Sequence, residues 1–268
     1  MQPLLNTAVK AARKAGDLIA RYSNRVDTIR INAKNRNDLV TEIDQQAEQE
    51  IIAILRKAYP DHSILAEESG GDRDADHVWI IDPLDGTTNF VHGFPHYSVS
   101  IACLYKDRIE HGVIYDPSRQ ELFTASRGNG AQLDGKRIRV SNCRSLTGSL
   151  VATGFPFKTP AIVDTYLDLF KSVFIESSGA RRAGSAALDL AYVAAGRLDG
   201  YWEIGLKPWD MAAGALLVQE AGGLISAFNG SDQYLFNESV VAATPRVHGQ
   251  LLDKIHPHIG KFDEILNK

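Results

Sequence analysis

The chain is 268 residues long, with 44% hydrophobic residues, 23% charged residues and a formal net charge of −4. This composition suits a folded globular protein and does not suit a disordered chain. The net negative charge predicts no direct binding to nucleic acid. The two cysteines, Cys103 and Cys143, are too few for a disulfide framework or a zinc site, which predicts a reducing compartment.

Two helices are predicted near the N-terminus. Apolar residues recur at helical spacing in MQPLLNTAVKAARKAGDLIARY, where lysines and arginines interrupt any signal-peptide core. The second helix begins after Thr41, whose side chain can cap it together with Asp44, and ends before Pro60. No segment has the roughly 20 apolar residues that a membrane span needs, so we expect a cytoplasmic protein.

Strands are predicted after the second helix, and two of them end in acidic residues. The segment SILAEES reads as a strand that ends in two glutamates, the first of them Glu67. The run WIID is continuous and apolar, and Pro83 lacks the N–H that would continue a sheet, so we place Asp82 near the end of its strand. Between residues 97 and 140, alternating apolar runs separated by turns predict an antiparallel meander.

The second half alternates strands and helices, which is typical of an α/β arrangement. SLVATGF, DGYWEIG, LISAF and SVVAAT predict strands, and GSAALDLAYVAAG and KPWDMAAGALLVQEAGG predict helices, the first of them capped by Ser185. We therefore divide the chain into residues 1–145, an α+β half with a mostly antiparallel sheet and most of the acids, and residues 146–268, an α/β half. No Pro- or Ser-rich linker separates the halves, so we expect one packed body.

Four acidic residues stand where apolar strands end or an apolar helix begins: Glu67, Asp82, Asp85 and Asp210. Each has an ordinary explanation by itself, because Asp-Gly is a common turn and an acid in the first turn of a helix suits the helix dipole. Together they gather at one edge of a sheet, and two close carboxylates repel each other unless a cation or proton neutralises them. Hard oxygen ligands suit Mg²⁺ or Mn²⁺ and not zinc. The spacing excludes an EF-hand, since the twelfth residue from Asp82 is glycine where that loop needs glutamate.

The residues directly after these acids suit an anion. Gly86, Thr87 and Thr88 follow Asp85, and backbone N–H groups at a glycine-led helix start can bind phosphate oxygens. Acids that hold cations, beside amides that hold an anion, predict a phosphate ester bound through metal ions. A haloacid-dehalogenase-type phosphatase is the nearest rival, but its two aspartates stand two positions apart and here they stand three apart.

Four segments together resemble one known family. They are EES from Glu67, WIIDPLDGTTNF from Trp79, GSAALDLAYVAAGRLDGYWE from Gly184 and PWDMAAGALLVQEAGG from Pro208. Their order and separation are similar to those of the inositol monophosphatase family, in particular its bacterial SuhB-type members, and the likeness runs essentially from end to end. The resemblance implies an α/β (α+β) fold, a layered αβαβα sandwich of the inositol monophosphatase/fructose-1,6-bisphosphatase type. It also implies Mg²⁺-dependent hydrolysis of a phosphomonoester, first of all inositol 1-phosphate, by direct attack of a metal-activated water.

The resemblance further implies a set of metal ligands. One ion would be held by Glu67, Asp82 and the backbone carbonyl of Leu84. A second would be held by Asp82, Asp85 and Asp210, and a third, looser ion would sit near Glu67. Two such ions about 4 Å apart activate a water and stabilise the charge that develops on the phosphoryl oxygens. Lys34 roughly matches a family lysine near the metals, with a spacing that differs by one residue from some members.

Catalytic and substrate contacts follow from the same resemblance. Glu67, Thr87 and Asp44 would be catalytic, with Thr87 orienting or deprotonating the water and Asp44 hydrogen-bonded behind it. Asp44 has an equally good local role as a capping residue of its helix. The residues that would bind the phosphate or the alcohol are Asp85, Gly86, Thr87, Gly184, Ser185, Ala186, Glu203 and Asp210.

Expected partners also come from the resemblance. It implies a homodimer, a small phosphate ester as substrate and inhibition by Li⁺. Relatives also handle sugar phosphates and nucleotide phosphates, so these substrates stay open. Bacterial relatives of this type are linked to ribosomal RNA transcription, as partners of RNA polymerase or its elongation factors. A scaffold in an antitermination-type complex is therefore the alternative to an enzyme, and we expect no direct contact with nucleic acid or membranes.

Overall fold

Helices and strands alternate along the chain much as the sequence predicts. The protein is described here by a computed structural model that covers residues 2–23, 25–26, 29–35, 38–157 and 159–266. The first half contains α1 (Pro3–Tyr22), β1 (Ile31–Asn35), β2 (Asp38–Thr41), α2 (Glu42–Ala58), β3 (Ser63–Ala66), β4 (Gly70–Gly71), β5 (His77–Asp85), α3 (Thr87–Val91), β6 (Ser98–Tyr105), β7 (Arg108–Asp116), β8 (Glu121–Ser126), β9 (Gly130–Leu133) and β10 (Lys136–Arg137). The second half contains β11 (Leu150–Thr153), α4 (Val163–Phe174), β12 (Gly179–Arg181), α5 (Ala186–Ala194), β13 (Gly200–Ile204), α6 (Pro208–Glu220), β14 (Leu224–Ser226), β15 (Ser239–Ala243), α7 (Pro245–Ile255) and α8 (Ile259–Leu266).

Among the described residues, the strands form a hairpin and two larger sheets. The hairpin pairs β1 with β2, and the eight-stranded sheet has the order β10-β9-β8-β7-β6-β5-β3-β4. Its neighbouring strands are antiparallel except β3 and β5, which run parallel. The five-stranded sheet has the order β12-β11-β13-β15-β14, and β11 runs parallel to both of its neighbours. The predicted meander is therefore confirmed, and the second sheet mixes parallel and antiparallel pairs.

Helices cover both faces of each sheet. Because successive side chains of a strand point to opposite sides, one strand contributes residues to two hydrophobic cores. In β5, Trp79 and Ile81 lie in one core with α1 and α2, whereas Val78 and Ile80 lie in a second core with α5 and α6. The second core also holds one face of the five-stranded sheet, whose other face packs against α4, α7 and α8. The layers are helix, sheet, helix, sheet, helix. The predicted αβαβα sandwich is confirmed.

Predicted capping residues start two of the helices. Thr41 Oγ1 accepts hydrogen bonds from the backbone N–H groups of Ile43 and Asp44, and the Asp44 carboxylate accepts the Thr41 N–H at 2.9 Å. The Ser185 hydroxyl accepts the Leu188 N–H at the start of α5. Caps of this kind are worth about 1 kcal/mol each. The start of α2 and the start of α5 are thereby fixed where the site residues lie.

The strand that carries Asp82 continues beyond the point where the sequence predicts its end. Strand β5 runs to Asp85, so Pro83 does not terminate it. Asp82 pairs with Ser100 and Asp85 pairs with Ser98, so the three residue steps between the aspartates oppose two steps on β6. This is a β-bulge, and a bulge accommodates proline because the missing N–H needs no ladder partner there. Asp82 and Asp85 therefore flank a bulge within β5, and Asp82 does not mark the end of the strand.

Some elements have no counterpart in the sequence prediction. The hairpin of β1 and β2 and the edge strands β4 and β12 are short, and short runs leave little periodic signal.

Lys34 falls in β1, but its side chain lies outside the described residues. The division into residues 1–145 and 146–268 stays a prediction. Within the described ranges, no helix is both long enough and apolar enough to cross a membrane.

Candidate active site

A cavity of about 710 Å³ is lined by residues from both halves of the chain. The predicted site residues that line it are Glu67, Asp82, Leu84, Asp85, Gly86, Thr87, Gly184, Ser185, Ala186, Glu203 and Asp210. Asp44 is the remaining predicted residue, and it lies directly behind Thr87. The fold thus brings the whole predicted set to one place.

Carboxylates converge at this cavity. Asp82, Asp85 and Asp210 each present an oxygen, and these oxygens lie within 4.8 Å of one another. Glu67 lies outside that group of three but shares a hydrogen bond with Asp82. The four acids come from the turn after β3, the bulge of β5 and the first turn of α6. Segments distant in sequence therefore supply one acidic cluster.

The electrostatics of the cluster favour neutralisation. Burial raises the pKa of Asp82, and the carboxylates of Glu67, Asp85 and Asp210 raise it further. Burial raises the pKa of Asp85 to about 6, against hydrogen bonds from the start of α5. Burial and the neighbouring acids also raise the pKa of Asp210. In the described part of the chain, no side-chain ion pair involves these aspartates. They need a cation or protons, since buried like charges repel.

The donor set fits a hard divalent cation. The available ligand atoms are carboxylate oxygens and the Leu84 carbonyl, which lies at the β5 bulge. Thr87 Oγ1 lies 3.0 Å from that carbonyl and 2.7 Å from Asp44 Oδ1. A hydroxyl has a single proton to donate, so a bond to Asp44 leaves the Leu84 carbonyl free for another partner.

Asp44 makes both the capping hydrogen bond and the hydrogen bond to Thr87. Its carboxylate accepts the N–H of Thr41 in the capping box, and it accepts the Thr87 hydroxyl at 2.7 Å. Burial raises the pKa of Asp44, while the hydrogen bonds from Thr41 and Thr87 oppose this shift. A carboxylate in this position keeps the Thr87 proton directed away from the cavity and turns the hydroxyl lone pairs toward it.

Two glycines line the cavity, Gly86 in the turn after Asp85 and Gly184 in the segment before α5. Gly86 has φ 98°, and a Cβ there would lie 3.0 Å from the His96 carbonyl oxygen. Gly184 has φ 89°, and a Cβ there would lie 2.8 Å from Arg182 Nη1. Asn89 joins the two turns, because its side-chain amide donates to the carbonyls of His96 and Ala183 at 2.7 and 2.8 Å. The turn that carries the Gly86 and Thr87 amides is thus tied to the segment before α5.

Ser185 and the start of α5 hold Asp85. The Ser185 hydroxyl donates to Asp85 Oδ2 at 2.6 Å, and the Ala187 N–H donates to the same oxygen at 2.8 Å. Ser185 therefore caps α5 and orients an acid of the cluster at the same time. Ala186 lines the cavity beside it.

Glu203 lies at the far wall of the cavity. Its Oε2 accepts the Tyr201 hydroxyl at 2.5 Å. Burial raises the pKa of Glu203 to about 7, against the Tyr201 hydrogen bond and the charge of Arg182. A Cβ on Gly154 would lie 1.9 Å from Glu203 Oε1, so the carboxylate occupies the space that glycine leaves open.

Two residues of this wall, Gly154 and Arg182, and the buried Asp189 behind it have no counterpart in the sequence prediction. Gly154 follows β11 and Arg182 follows β12, and neither residue belongs to a motif. Asp189 is buried in α5, and its pKa is raised first by burial and then by Glu203 and Asp85. An acid in the middle of the apolar run SAALDLAYVAA was the available signal, because unpaired acids are rarely buried.

The chain matches a known protein family. A profile of the inositol monophosphatase family matches residues 1–260. The chain belongs to the inositol monophosphatase family. A Pseudomonas aeruginosa protein named Nus factor SuhB is 57% identical over 265 residues, covering 97% of this chain and 98% of the relative. The predicted family and its SuhB-type branch are confirmed.

Solved structures of this family share the fold. Extragenic suppressor protein SuhB from Bartonella henselae superposes with a TM-score of 0.92 at 43% identity, covering 95% of this chain and 98% of that one. An inositol monophosphatase from Anabaena (Nostoc) sp. superposes with a TM-score of 0.86 at 38% identity, covering 95% of each chain. The inositol monophosphatase family architecture therefore extends over nearly the whole chain.

Proposed function

We propose that this chain is a Mg²⁺-dependent phosphomonoesterase, with inositol 1-phosphate as the first substrate to test. The observation that carries the proposal is the group of three aspartates whose oxygens lie within 4.8 Å of one another. The same cavity is lined by the turn of Gly86 and Thr87, so a site for cations adjoins a site for an anion. Membership of the inositol monophosphatase family supports a phosphatase.

In this proposal the acids hold two Mg²⁺ ions, with Mn²⁺ as a substitute and a third, looser ion near Glu67. The ligands would be Glu67, Asp82 and the Leu84 carbonyl for one ion, and Asp82, Asp85 and Asp210 for the other. The ions would supply positive charge to the phosphoryl oxygens and lower the pKa of a bound water. The raised pKa values of the three aspartates support this assignment, because no basic side chain among the described residues forms an ion pair with them.

The residues of the chain orient the reacting water and the phosphate. Thr87 donates its proton to Asp44, so its oxygen can accept a hydrogen bond from the water and take its proton as the Thr87 proton passes to Asp44. The amides of Gly86 and Thr87 would donate to phosphate oxygens. Asp44 and Thr87 thereby form a short relay behind the site, and Glu67 would help to hold the water from the metal side.

The alcohol half of the substrate would meet the far wall. Asp85, the start of α5 at Gly184, Ser185 and Ala186, and the Glu203 carboxylate all line that part of the cavity. Carboxylates accept hydrogen bonds from hydroxyl groups, so this wall suits a polyol. Sugar phosphates and nucleotide phosphates are the alternative substrates.

A hydrolysis screen tests the proposal. Purified protein with Mg²⁺ is incubated with inositol 1-phosphate, sugar phosphates, nucleotide phosphates and p-nitrophenyl phosphate, and phosphate release is measured with and without EDTA and Li⁺. We expect release that needs the divalent ion, is fastest with inositol 1-phosphate and is inhibited by Li⁺. Full activity in EDTA, or no activity on any ester, would refute a metal-dependent phosphatase.

A scaffold function in transcription is the second candidate. The observation that favours it is the similarity to proteins named Nus factor SuhB in Pseudomonas aeruginosa and Escherichia coli. A pull-down from the native lysate with the wild type and with Asp82→Asn separates the two functions. If the protein is a scaffold, the Asp82→Asn variant should still bind RNA polymerase or an elongation factor, although it no longer hydrolyses the ester.

We also infer a cytoplasmic homodimer. Exposed apolar side chains occur along α4 and directly after it, where Leu167 is 44% exposed, Phe174 is 51% exposed and Ile175 is 71% exposed. A second copy of the chain could cover this face. The free cysteines Cys103 and Cys143 support a reducing compartment. Light scattering of the purified protein tests the dimer.

A further inference from the structure

Helix α2 carries a second buried acid, Glu48, one turn after Asp44. Only 3% of Glu48 is exposed, and an acid at this depth needs partners that replace its water. Those partners are backbone N–H groups, since Oε2 accepts from Glu68 at 2.8 Å and Oε1 accepts from Ser69 at 2.9 Å. Hydrogen bonds to an ionised carboxylate are about twice as strong as neutral ones. Glu48 therefore holds the main chain directly after Glu67.

The turn at Glu67 is fixed from two sides. The Glu67 N–H donates to the Ile81 carbonyl at 3.1 Å, and Ile81 directly precedes Asp82. Together with the two bonds to Glu48, three consecutive N–H groups of the turn have partners. The Glu67 carboxyl group shares a hydrogen bond with Asp82. The direction of the Glu67 side chain is thus determined by a main chain that Glu48 holds.

The residues that follow the turn add little order of their own. Gly70 and Gly71 have φ angles of 71° and 130°, in the region that favours glycine. They form the two-residue strand β4, which pairs with the end of β3. Glycines lose more conformational freedom on folding than other residues, so such a segment is held weakly by itself. The buried Glu48 carboxylate binds the Glu68 and Ser69 amides directly before these glycines and offsets that weakness.

We propose that Glu48 is a positioning residue that sets the affinity of the site for its divalent cation by fixing Glu67. The inference rests on the proposed function, in which Glu67 is a metal ligand. Asp44, on the same helix, accepts the hydroxyl of Thr87. Helix α2 would thus position both Glu67, a proposed metal ligand, and Thr87, which would orient the water. Residues that orient metal ligands through hydrogen bonds typically change metal affinity 10- to 100-fold when they are replaced.

Glu48→Gln is the test variant, because it keeps the size of the side chain. The glutamine carbonyl can accept one of the two amides, but its NH₂ group faces the other N–H and can only donate. Glu50→Gln is the matched control, since it makes the same change two residues later at an exposed position of the same helix.

The experiment measures binding of Mn²⁺ alone by electron paramagnetic resonance, hydrolysis of p-nitrophenyl phosphate against Mg²⁺ concentration, and the melting temperature. For Glu48→Gln we expect Mn²⁺ affinity to fall about 10- to 100-fold. The Mg²⁺ concentration for half-maximal rate should rise by a similar factor, and kcat at saturating Mg²⁺ should stay within about threefold of the wild type. Glu50→Gln should match the wild type in all three measurements.

Other outcomes overturn the inference. A lower melting temperature with unchanged Mn²⁺ affinity would make Glu48 a purely structural anchor. A loss of kcat that saturating Mg²⁺ does not restore would contradict a role through metal affinity. Should Glu48→Gln fail to fold, Glu48→Asp carries the same test, because it keeps the charge and withdraws it from the turn by one methylene. Wild-type protein that neither binds Mn²⁺ nor hydrolyses the ester refutes the proposed function itself, whereas wild-type binding with an unaffected variant refutes this inference alone.

Discussion

Replacing Gly154 with alanine should displace the carboxylate of Glu203. A Cβ on Gly154 would lie 1.9 Å from Oε1 and 2.2 Å from Oε2 of Glu203. Carbon and oxygen atoms in contact normally stay about 3.5 Å apart, so the carboxylate must move by about 1.3–1.6 Å. The backbone of Gly154 is not in the left-handed region, so alanine itself is compatible with the chain.

The size of the effect follows from the hydrogen bonds that Glu203 would lose. Its bond to the Tyr201 hydroxyl is 2.5 Å long, and a shift of that size takes it beyond hydrogen-bond distance. A carboxylate moved this far can no longer accept a substrate hydroxyl in the same place. A hydrogen bond to a charged group contributes about 1.5–3 kcal/mol, which corresponds to about 10- to 150-fold in KM.

The assay compares two esters at saturating Mg²⁺. Gly154→Ala should raise KM for inositol 1-phosphate and leave p-nitrophenyl phosphate unchanged, because an interaction lost at a remote hydroxyl appears in KM. Glu203→Gln should show the same selective pattern. Gly249→Ala is the control, since a Cβ on Gly249 meets no atom within 4 Å.

A double-mutant cycle isolates the contact between the two residues. In a Glu203→Ala background, Gly154→Ala should have little further effect, because the carboxylate that it displaces is gone. Equal changes on both esters would show that Gly154→Ala disturbs the acid cluster. An unchanged KM for inositol 1-phosphate would refute the role of Glu203 at the alcohol.

Four further predictions concern the metal site and acid stability. Removing Mg²⁺ with EDTA should abolish hydrolysis without a phosphorylated intermediate, and a trapped acyl phosphate on Asp82 would contradict this scheme. Asp85→Asn should lower activity at least about 100-fold with the fold intact, and loss of the circular dichroism signal would favour a structural turn. Asp210→Asn should likewise abolish activity at a stability cost of only about 0.3–1 kcal/mol, measured by urea unfolding. Burial lowers the pKa of His96 to about 4, so the native state resists a proton that the unfolded state binds, and stability falls with decreasing pH between about 6.5 and 4. The lowered pKa of His96 corresponds to a loss of about 3 kcal/mol of unfolding free energy over this range. His96→Phe should therefore lose less stability than the wild type between those pH values, as measured by urea unfolding.

Much of the fold could be predicted because its signals are local. Thr41 with Asp44, and Ser185 before an apolar helix, are caps that a short segment reveals, and strand and helix periods follow from neighbouring residues. The β5 bulge was missed because proline by itself does not distinguish a strand end from a bulge. The hairpin of β1 and β2 was missed because its strands are short.

The remaining site residues could not be predicted for a different reason. Glu48 reaches Ser69 across 21 residues of sequence, and their contact exists only after α2 packs beside the first sheet. Gly154 matters because a distant strand places Glu203 against it. Such roles depend on which chain segments meet, and side-chain types at single positions do not carry that information. The acids were predictable because several of them occupy the ends of recognisable elements.

The central helix layer has a consequence for how the chain folds. Every residue of α6 from Met211 to Val218 is buried, so this helix is apolar on all sides. The eight-stranded sheet covers one side of that layer and the five-stranded sheet covers the other. A fragment of residues 1–145 would expose one whole face of its sheet and should aggregate, and α6 alone should be insoluble. Unfolding is therefore expected to be a single cooperative transition in which both sheets separate together. Because the cavity draws residues from both halves, a variant that loses activity in step with its melting temperature reports on folding, and one that loses activity at an unchanged melting temperature reports on chemistry.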